Sequence, residues 1–379
     1  MTKYQLVATA AMGLESIVAD ELKSLGYTTH TENGKVYFEG DEKDIAKTNL
    51  WLRVADRVKI VAGKFPAKTF EQLFEGVRAI EWEKYLPVDA EFPVTGKSVK
   101  SKLFSVPDCQ AITKKAIVER MKYYYKRLGF LEETGPKYKI EVSILKDVAT
   151  LTIDTSGAGL HKRGYRLNQG EAPLKETLAA ALVLISKWHP NRPFVDPFCG
   201  SGTIALEAAM IGQNMAPGYN RDFISEDWPW MKQKIWDEVR MEVEDLANYD
   251  QPLQIFGSDI DHRMVEIAKE NAREAGFADL ISWKQMQVTD FTTNLTDGVM
   301  VGNPPYGERI GDKEVLEKMI RDMGMMMSKY PSWSVYMLSS MENFEALYGK
   351  KATKKRKLFN GFIKTDYYQF WGKRTPKHD

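Results

Sequence analysis

The spacing of apolar residues in the first 65 positions predicts a small unit of alternating strands and helices. Short alternating runs at residues 4–9, 36–38 and 58–65 predict strands, and the segments between them have helical periodicity. Asp41 can cap the second helix, because a carboxylate at that position accepts hydrogen bonds from the amides of the first turn. The predicted order is strand, helix, strand, helix, strand.

A second unit follows, and its main feature is a long amphipathic helix. Periodicity predicts this helix from Gln110 to Leu128, with Ile117, Met121, Tyr124 and Leu128 on its buried face. Two alternating runs after it predict a hairpin. The α+β pattern thus extends to about residue 159.

From about residue 160 onward, buried strands alternate with helices, which predicts a mostly parallel sheet covered on both faces. The last two strands flank the turn Asn360-Gly361 and predict an antiparallel hairpin. The stretch from 213 to 253 has no strand pattern and carries Trp228, Trp230 and Trp236. We expect this insertion to pack over the edge of the sheet.

The glycine-rich, basic stretch at residues 155–166 has the composition of a connector between folded units. A chain of 379 residues is also longer than single cores usually become. We therefore predict three domains with the bounds 1–58, 59–159 and 160–379.

The charge of the chain is nearly balanced but unevenly distributed. The whole sequence has a formal charge of +1, yet nine basic residues and two acids lie between Lys97 and Arg127. Such an excess is typical of a solvated surface or of one that binds phosphate. The outward-facing lysines of the predicted helix are Lys114, Lys115, Lys122 and Lys126.

The cysteine content argues against disulfides and metal. Cys109 and Cys199 are far apart in sequence, and the five histidines do not supply partners at zinc-site spacing. The N-terminus has no signal-peptide pattern, and no apolar run reaches the length of a membrane span. We expect a cytoplasmic protein without a metal or a membrane partner.

Three predicted strands end at residues that could bind a ligand or take part in a reaction. Gly200-Ser201-Gly202 follows the first strand, and closely spaced glycines allow a tight turn and the close approach of a ligand. The second strand ends at Asp259, whose carboxylate could accept hydrogen bonds from ribose hydroxyls. The third leads into Asn303-Pro304-Pro305-Tyr306.

These motifs resemble those of class I S-adenosylmethionine-dependent methyltransferases, with Asp-Pro-Phe-Cys-Gly-Ser-Gly-Thr as the cofactor loop. The resemblance implies a Rossmann-like α/β sheet and S-adenosylmethionine as the cofactor. It also implies that Asp196 lies near the methionyl end and Asp290 near the adenine amino group, and that the helix after Pro173 closes over the cofactor. The implied cofactor-binding residues are Asp196, Gly200, Ser201, Gly202, Asp259, Ile260, Asp290 and Pro173.

The same resemblance implies that Asn303-Pro304-Pro305-Tyr306 is the loop that methylates an exocyclic base amine. Such an amine is a poor nucleophile, because its lone pair is delocalised into the ring. The Asn303 side-chain oxygen and the Pro304 carbonyl can accept hydrogen bonds from it and localise the lone pair. Pro305 stiffens the loop. We expect a flipped base to stack on the ring of Tyr306, a contact that needs the ring and not the hydroxyl.

The N-terminal part resembles a ferredoxin-like module followed by a THUMP domain, which holds structured RNA in RNA-modifying enzymes. The extended loop Asn303-Pro304-Pro305-Tyr306-Gly307-Glu308-Arg309 resembles bacterial methyltransferases that modify guanine N2 in large-subunit (23S) ribosomal RNA. This resemblance implies ribosomal RNA as the partner. Two alternatives stay open: an adenine-N6 methyltransferase on RNA or DNA, and a non-catalytic RNA-binding or ribosome assembly factor.

Overall fold

A computed structural model of the protein describes residues 2–165, 174–306 and 312–373, without the side chain of Asp312. Pro173 and residues 307–309 lie outside the described residues. The chain divides into two compact units. The first contains residues 1–10, 19–160 and 221–242, and the second contains residues 11–18, 161–220 and 243–379.

One seven-stranded sheet, in the order β2-β3-β1-β4-β7-β6-β5, runs through the first unit. Its strands are β1 (Tyr4–Thr9), β2 (His30–Glu32), β3 (Lys35–Gly40), β4 (Arg57–Pro66), β5 (Val94–Val99), β6 (Lys139–Leu145) and β7 (Val148–Asp154). β4 pairs with β1 on one side and with β7 on the other. The predicted domain boundary at 58/59 therefore falls inside a strand that both halves of the sheet share.

The helices in this part of the sequence are α1 (Glu15–Ser24), α2 (Glu42–Trp51), α3 (Phe70–Ala79) and α4 (Val106–Tyr125). The N-cap prediction for Asp41 is confirmed, because its side chain accepts hydrogen bonds from the amides of Lys43 and Asp44. α4 ends three residues earlier than expected. Ile117 and Met121 are buried as predicted, but Tyr124 and Leu128 are exposed, so their assignment to the core was wrong.

The insertion also differs from expectation, since residues 221–242 belong to the first unit. The ring of Trp228 stacks on Tyr138 with centroids 4.5 Å apart, and its Nε1 donates to the carbonyl of Lys137 at 2.9 Å. Trp230 Nε1 donates to the carbonyl of Tyr85. The prediction that the insertion packs over the C-terminal sheet is thus wrong for these residues.

The second unit contains a seven-stranded sheet in the order β10-β9-β8-β11-β12-β14-β13. Its strands are β8 (Phe194–Asp196), β9 (Ile255–Asp259), β10 (Ile281–Gln285), β11 (Val299–Gly302), β12 (Ser334–Ser339), β13 (Lys354–Asn360) and β14 (Ile363–Phe370). The helices of the C-terminal part of the sequence are α5 (Glu176–Ser186), α6 (Thr203–Gly212), α7 (Gln233–Asp245), α8 (His262–Glu274), α9 (Asp312–Met327) and α10 (Phe344–Tyr348).

The pairings confirm the predicted mostly parallel sheet with an antiparallel end. β10, β9, β8, β11 and β12 are parallel neighbours, and β14 is antiparallel to β12 and β13. The carboxyl ends of β8, β9 and β11 therefore lie at one edge of the sheet, which is where α/β folds place their ligands.

The register of the final hairpin is shifted by one residue from the prediction. Asn360 is the last residue of β13 and pairs with Ile363, so Gly361 and Phe362 form the loop. Gly361 has a φ of 61°, which suits glycine as the first residue of a two-residue loop. Asn360 is consequently a strand residue, and the predicted turn Asn360-Gly361 was wrong by one position.

Candidate active site

The turn between β8 and α6 is formed by residues with positive φ at Gly200 (50°) and Gly202 (88°). The Gly202 amide donates to the carbonyl of Cys199 at 2.7 Å and closes the turn. A Cβ on Gly202 would lie 2.8 Å from the Trp283 ring, whereas a Cβ on Gly200 would point into open space. Gly202 is therefore required for packing, and Gly200 leaves room for a ligand beside the backbone.

Asp259, at the end of β9, ties this turn to the next strand. Its Oδ2 accepts a hydrogen bond from the Gly200 amide at 3.0 Å, and its Oδ1 accepts one from the Asp261 amide at 2.9 Å. Each carboxylate oxygen has a further lone pair. The carboxylate is thus fixed in orientation and can still accept hydroxyl groups.

A cavity of about 500 Å³ lies at these strand ends in the second unit. The predicted site residues that line it are Gly200, Ser201, Asp259, Ile260, Asn303 and Pro305. Phe198 of the predicted cofactor loop also lines it, as do apolar side chains that the sequence analysis did not assign to the site, among them Met264, Met286, Val288, Val315 and Met319. A pocket of this size with a few fixed polar groups is typical of a small-molecule site.

Four predicted residues lie beside the cavity lining rather than in it. Gly202 and Pro304 are buried, and Tyr306 is half-buried. Asp290 is exposed at the end of a short 3-10 helix, whose first two residues, Val288 and Thr289, do line the cavity.

Asp196 is also absent from the lining, because it is fully buried at the end of β8. Its Oδ1 accepts a hydrogen bond from the Phe198 amide at 3.2 Å, and no described residue donates to its Oδ2. Burial raises the pKa of Asp196 well above its ordinary value; the Phe198 amide opposes this rise and the charge of Asp259 adds to it. The neighbouring Cys199 thiol also has a raised pKa, mainly from burial, so it is not a thiolate nucleophile.

The loop after β11 brings Asn303 to the cavity. Gly302 permits this, since a Cβ there would come within 2.9 Å of the Phe198 ring. The Tyr306 hydroxyl donates to Asn303 Oδ1 at 2.8 Å, and Asn360 Nδ2 donates to the Tyr306 hydroxyl at 3.0 Å. The sequence analysis gave the hydroxyl no role and assigned Asn360 only to a turn, because the two partners are 54 residues apart.

The segment before the cavity is anchored by a buried ion pair. Arg163 Nε and Nη2 each lie 3.2 Å from a carboxylate oxygen of Glu207, and the Tyr165 hydroxyl donates to the same carboxylate at 3.1 Å. Glu207 lies on α6, the helix that follows the glycine turn. The basic stretch predicted as a connector is therefore fixed to the helix that follows the glycine turn.

The four predicted RNA-binding lysines of the first unit are not equivalent. Lys114 pairs with Glu133 at 2.6 Å and lies over the Phe92 ring, and Lys115 lies 5.9 Å from the centroid of the Phe74 ring. Lys122 and Lys126 lie at the end of α4 beside exposed apolar residues. Tyr123 is 84% exposed and Phe130 is 97% exposed, and Lys122 lies 5.7 Å from the centroid of the Phe130 ring.

The described residues show neither a metal-binding cluster nor a helix that could cross a membrane. They contain no group of three or more His, Cys, Asp or Glu side chains placed to hold a metal ion. None of their helices combines the length and hydropathy needed to cross a membrane.

Three family profiles match consecutive parts of the chain. Residues 5–59 match the RlmL ferredoxin-like domain, residues 67–154 match the THUMP domain, and residues 163–369 match the RMKL-like methyltransferase domain, UPF0020. The predicted combination of a ferredoxin-like module, a THUMP domain and a methyltransferase domain is confirmed.

Individual relatives match over the whole length. YpsC of Bacillus subtilis strain 168, named as a candidate RNA methyltransferase, is 64% identical over 100% of this chain and 98% of its own length. A crystal structure of a Listeria monocytogenes protein, named a predicted N6-adenine-specific DNA methylase, is 64% identical with a TM-score of 0.95, covering 98% of this chain and 97% of that one.

A further crystal structure, of a candidate methyltransferase named SMU.472, contains SAH. It is 52% identical with a TM-score of 0.95 and covers 99% of this chain and 100% of that one. From its matching domain over residues 163–369 and its full-length relatives, this chain belongs to the RMKL-like methyltransferase family.

Proposed function

We propose that the protein transfers a methyl group from S-adenosylmethionine to the exocyclic N2 amine of a guanosine in large-subunit ribosomal RNA. The observation that carries the proposal is the position of Asn303. Asn303 lines the same cavity as Gly200 and Asp259. One site therefore combines a hydrogen-bond acceptor for the substrate amine with a carboxylate that can bind a nucleoside. We also propose a cytoplasmic location, which the two distant cysteines favour.

The residues present fit the cofactor. Gly200 leaves its backbone open to a ligand, and both Asp259 oxygens keep acceptor capacity for ribose hydroxyls. Met264, Met286 and Val288 offer apolar walls suited to a flat ring. When bound, S-adenosylmethionine supplies an electrophilic methyl group on a sulfonium sulfur.

The chain contributes electrostatic positioning to the transfer. Asn303 Oδ1 accepts the Tyr306 hydroxyl and has a second lone pair for an amine hydrogen. An acceptor fixed in advance favours the nitrogen with a localised lone pair, and such preorganised dipoles are effective catalysts. The amine can lose its proton after it has gained the methyl group, so no strong base is required.

The end of α4 is the proposed RNA-binding surface of the first unit. Lys122, Lys126 and Arg127 follow one another closely there, with Tyr123 and Phe130 exposed among them. Basic groups attract the phosphate backbone, and exposed aromatic rings stack with unpaired bases. We rank Lys114 behind this surface as an RNA contact, because its ammonium already pairs with Glu133 and lies over the Phe92 ring.

A second candidate is adenine-N6 methylation, since the Listeria relative carries that name and the Asn-Pro-Pro-Tyr loop suits either amine. We favour guanine because the sequence through Arg309 resembles the loop of guanine-N2 enzymes, and because the N-terminal domain matches the RlmL ferredoxin-like profile.

Nucleoside mass spectrometry of ribosomal RNA from cells with and without the gene tests the proposal. N2-methylguanosine should fall in the deletion strain and return with the wild-type gene. Asn303→Ala should lower turnover about 10²- to 10³-fold, as when one preorganised polar group is removed. Asn294→Ala, an exposed asparagine of the same unit, is the matched control. Loss of N6-methyladenosine in the deletion strain would support the second candidate.

A further inference from the structure

The loop Asn303-Pro304-Pro305-Tyr306 is connected to the hairpin of β13 and β14 by a chain of two hydrogen bonds. Asn360 Nδ2 donates to the Tyr306 hydroxyl at 3.0 Å, and that hydroxyl donates to Asn303 Oδ1 at 2.8 Å. All three residues are half-buried and belong to the second unit. The chain therefore leads from β13 to an atom at the proposed reaction site.

The direction of these bonds is set by the donors. A hydroxyl group has one proton and two lone pairs, whereas a side-chain amide nitrogen can only donate. Asn360 supplies a proton to the Tyr306 oxygen, and the hydroxyl donates its own proton to Asn303 Oδ1. An amide that receives this proton must present its oxygen, so the arrangement fixes which end of the Asn303 amide is the acceptor.

The turn itself does not require asparagine at position 360. Gly361 takes the left-handed conformation with a φ of 61°, and Asn360 is an ordinary strand residue paired with Ile363. Asparagine is disfavoured in strands and common in turns. Its side-chain amide, rather than its backbone preference, is thus the feature that the structure uses.

We infer that Asn360 is a positioning residue for methyl transfer, which acts through the Tyr306 hydroxyl to hold the Asn303 oxygen toward the substrate amine. This inference rests on the proposed function, because it assigns Asn303 Oδ1 as the acceptor. It makes the hairpin of β13 and β14 part of the catalytic machinery, although its position in the sequence is remote from the loop.

Single-turnover methylation of a large-subunit ribosomal RNA transcript tests the inference with a double-mutant cycle. Each of the variants Asn360→Ala and Tyr306→Phe should lower the rate about tenfold, the effect of one net hydrogen bond. The RNA concentration at half-maximal rate and the affinity for S-adenosylmethionine should stay within about twofold of wild type. In the Tyr306→Phe background, Asn360→Ala should have no further effect, because its link to Asn303 is already missing.

Asn360→Asp is a second variant, which has the same shape as asparagine but replaces the amide donor with an acceptor. In Asn360→Asp the carboxylate accepts the hydroxyl proton and draws it from Asn303, so the rate should fall at least as far as in Asn360→Ala. Asn294→Ala is the control for asparagine loss and should keep the wild-type rate. Wild-type rates in both Asn360 variants, or effects that multiply with that of Tyr306→Phe, would overturn the inference.

A measurement without RNA separates this inference from the proposed function. In protein labelled with 15N at asparagine, the Asn303 side-chain amide signal should shift in Asn360→Ala and in Tyr306→Phe, and stay unchanged in Asn294→Ala. An unchanged Asn303 signal contradicts the hydrogen-bond chain. If the signal shifts but wild-type protein methylates no RNA amine, the proposed function fails while the positioning of Asn303 remains.

Discussion

Asp259 is the residue on which nucleoside binding should depend most. Its carboxylate is held by the amides of Gly200 and Asp261 and faces the cavity. We predict that Asp259→Asn weakens S-adenosylmethionine binding at least tenfold, since hydrogen bonds to a charged acceptor contribute about 1.5–3 kcal/mol each. Calorimetry on the variant and on the Asp250→Asn control measures this. Equal affinities would exclude Asp259 from ribose binding.

Asp196 should affect stability through its protonation. Its pKa is raised in the folded protein, mainly by burial, so protonation favours the folded state. The stability that this contributes is complete below the ordinary carboxyl pKa of about 4 and is lost as the pH rises through the raised value. Asparagine keeps the oxygen that accepts the Phe198 amide and carries no charge.

We therefore predict that Asp196→Asn gains free energy of unfolding relative to wild type as the pH rises from 4 to 8. Urea unfolding at several pH values measures the difference. A difference that does not change with pH would show that Asp196 has no raised pKa. A large loss of S-adenosylmethionine affinity in the same variant would instead support the predicted role of Asp196 near the methionyl end.

Among the elements, strand ends were predictable and side-chain partners were not. The apolar runs ending at Asp196, Asp259 and Gly302 identified three strands because buried parallel strands are continuously hydrophobic. The bond between Asn360 and Tyr306 was not predictable, since a one-residue shift in the hairpin decides where Asn360 points. The end of α4 was missed because a helical period continues on paper beyond Lys126, where the backbone is left-handed.

The end of α4 gives the prediction at this scale. Lys122→Ala with Lys126→Ala should reduce the slope of log affinity against log salt by roughly 1.4, taking about 0.7 for each single-strand phosphate contact. Lys114→Ala with Lys115→Ala removes the same charge from the same helix and is the matched control, expected to change the slope less. Fluorescence anisotropy with a ribosomal RNA transcript over a salt series measures both. Equal slopes for the two pairs would contradict the unequal roles.

For the whole molecule, the least predictable feature was which segments of the chain form the first unit. Its sheet ends by residue 154, yet residues 221–242 complete the unit. The sequence indicated an insertion rich in tryptophan but not its location, because apolar side chains carry no information about which distant surface they cover. The chain crosses five times between the two units, at 10/11, 18/19, 160/161, 220/221 and 242/243, so one division at 159/160 does not reproduce them.

Because residues 221–242 belong to the first unit, we can predict how an isolated N-terminal fragment would behave. A fragment of residues 1–160 lacks Trp228, which is fully buried against Tyr138 and bonded to the Lys137 carbonyl. Truncating such a buried aromatic usually costs about 3–5 kcal/mol, a large share of the stability of a domain. The fragment should therefore bind a hydrophobic dye and melt at a lower temperature than the first transition of the full chain.

Trp228→Ala in the full chain should reproduce most of this loss, and Trp371→Ala, at a half-exposed position in the second unit, is the control. Differential scanning calorimetry measures the transitions. A fragment as stable as the intact unit would show that residues 221–242 are dispensable for folding, and RNA binding could then be assigned with the fragment alone. If the fragment is unstable, RNA affinity has to be measured on the full chain.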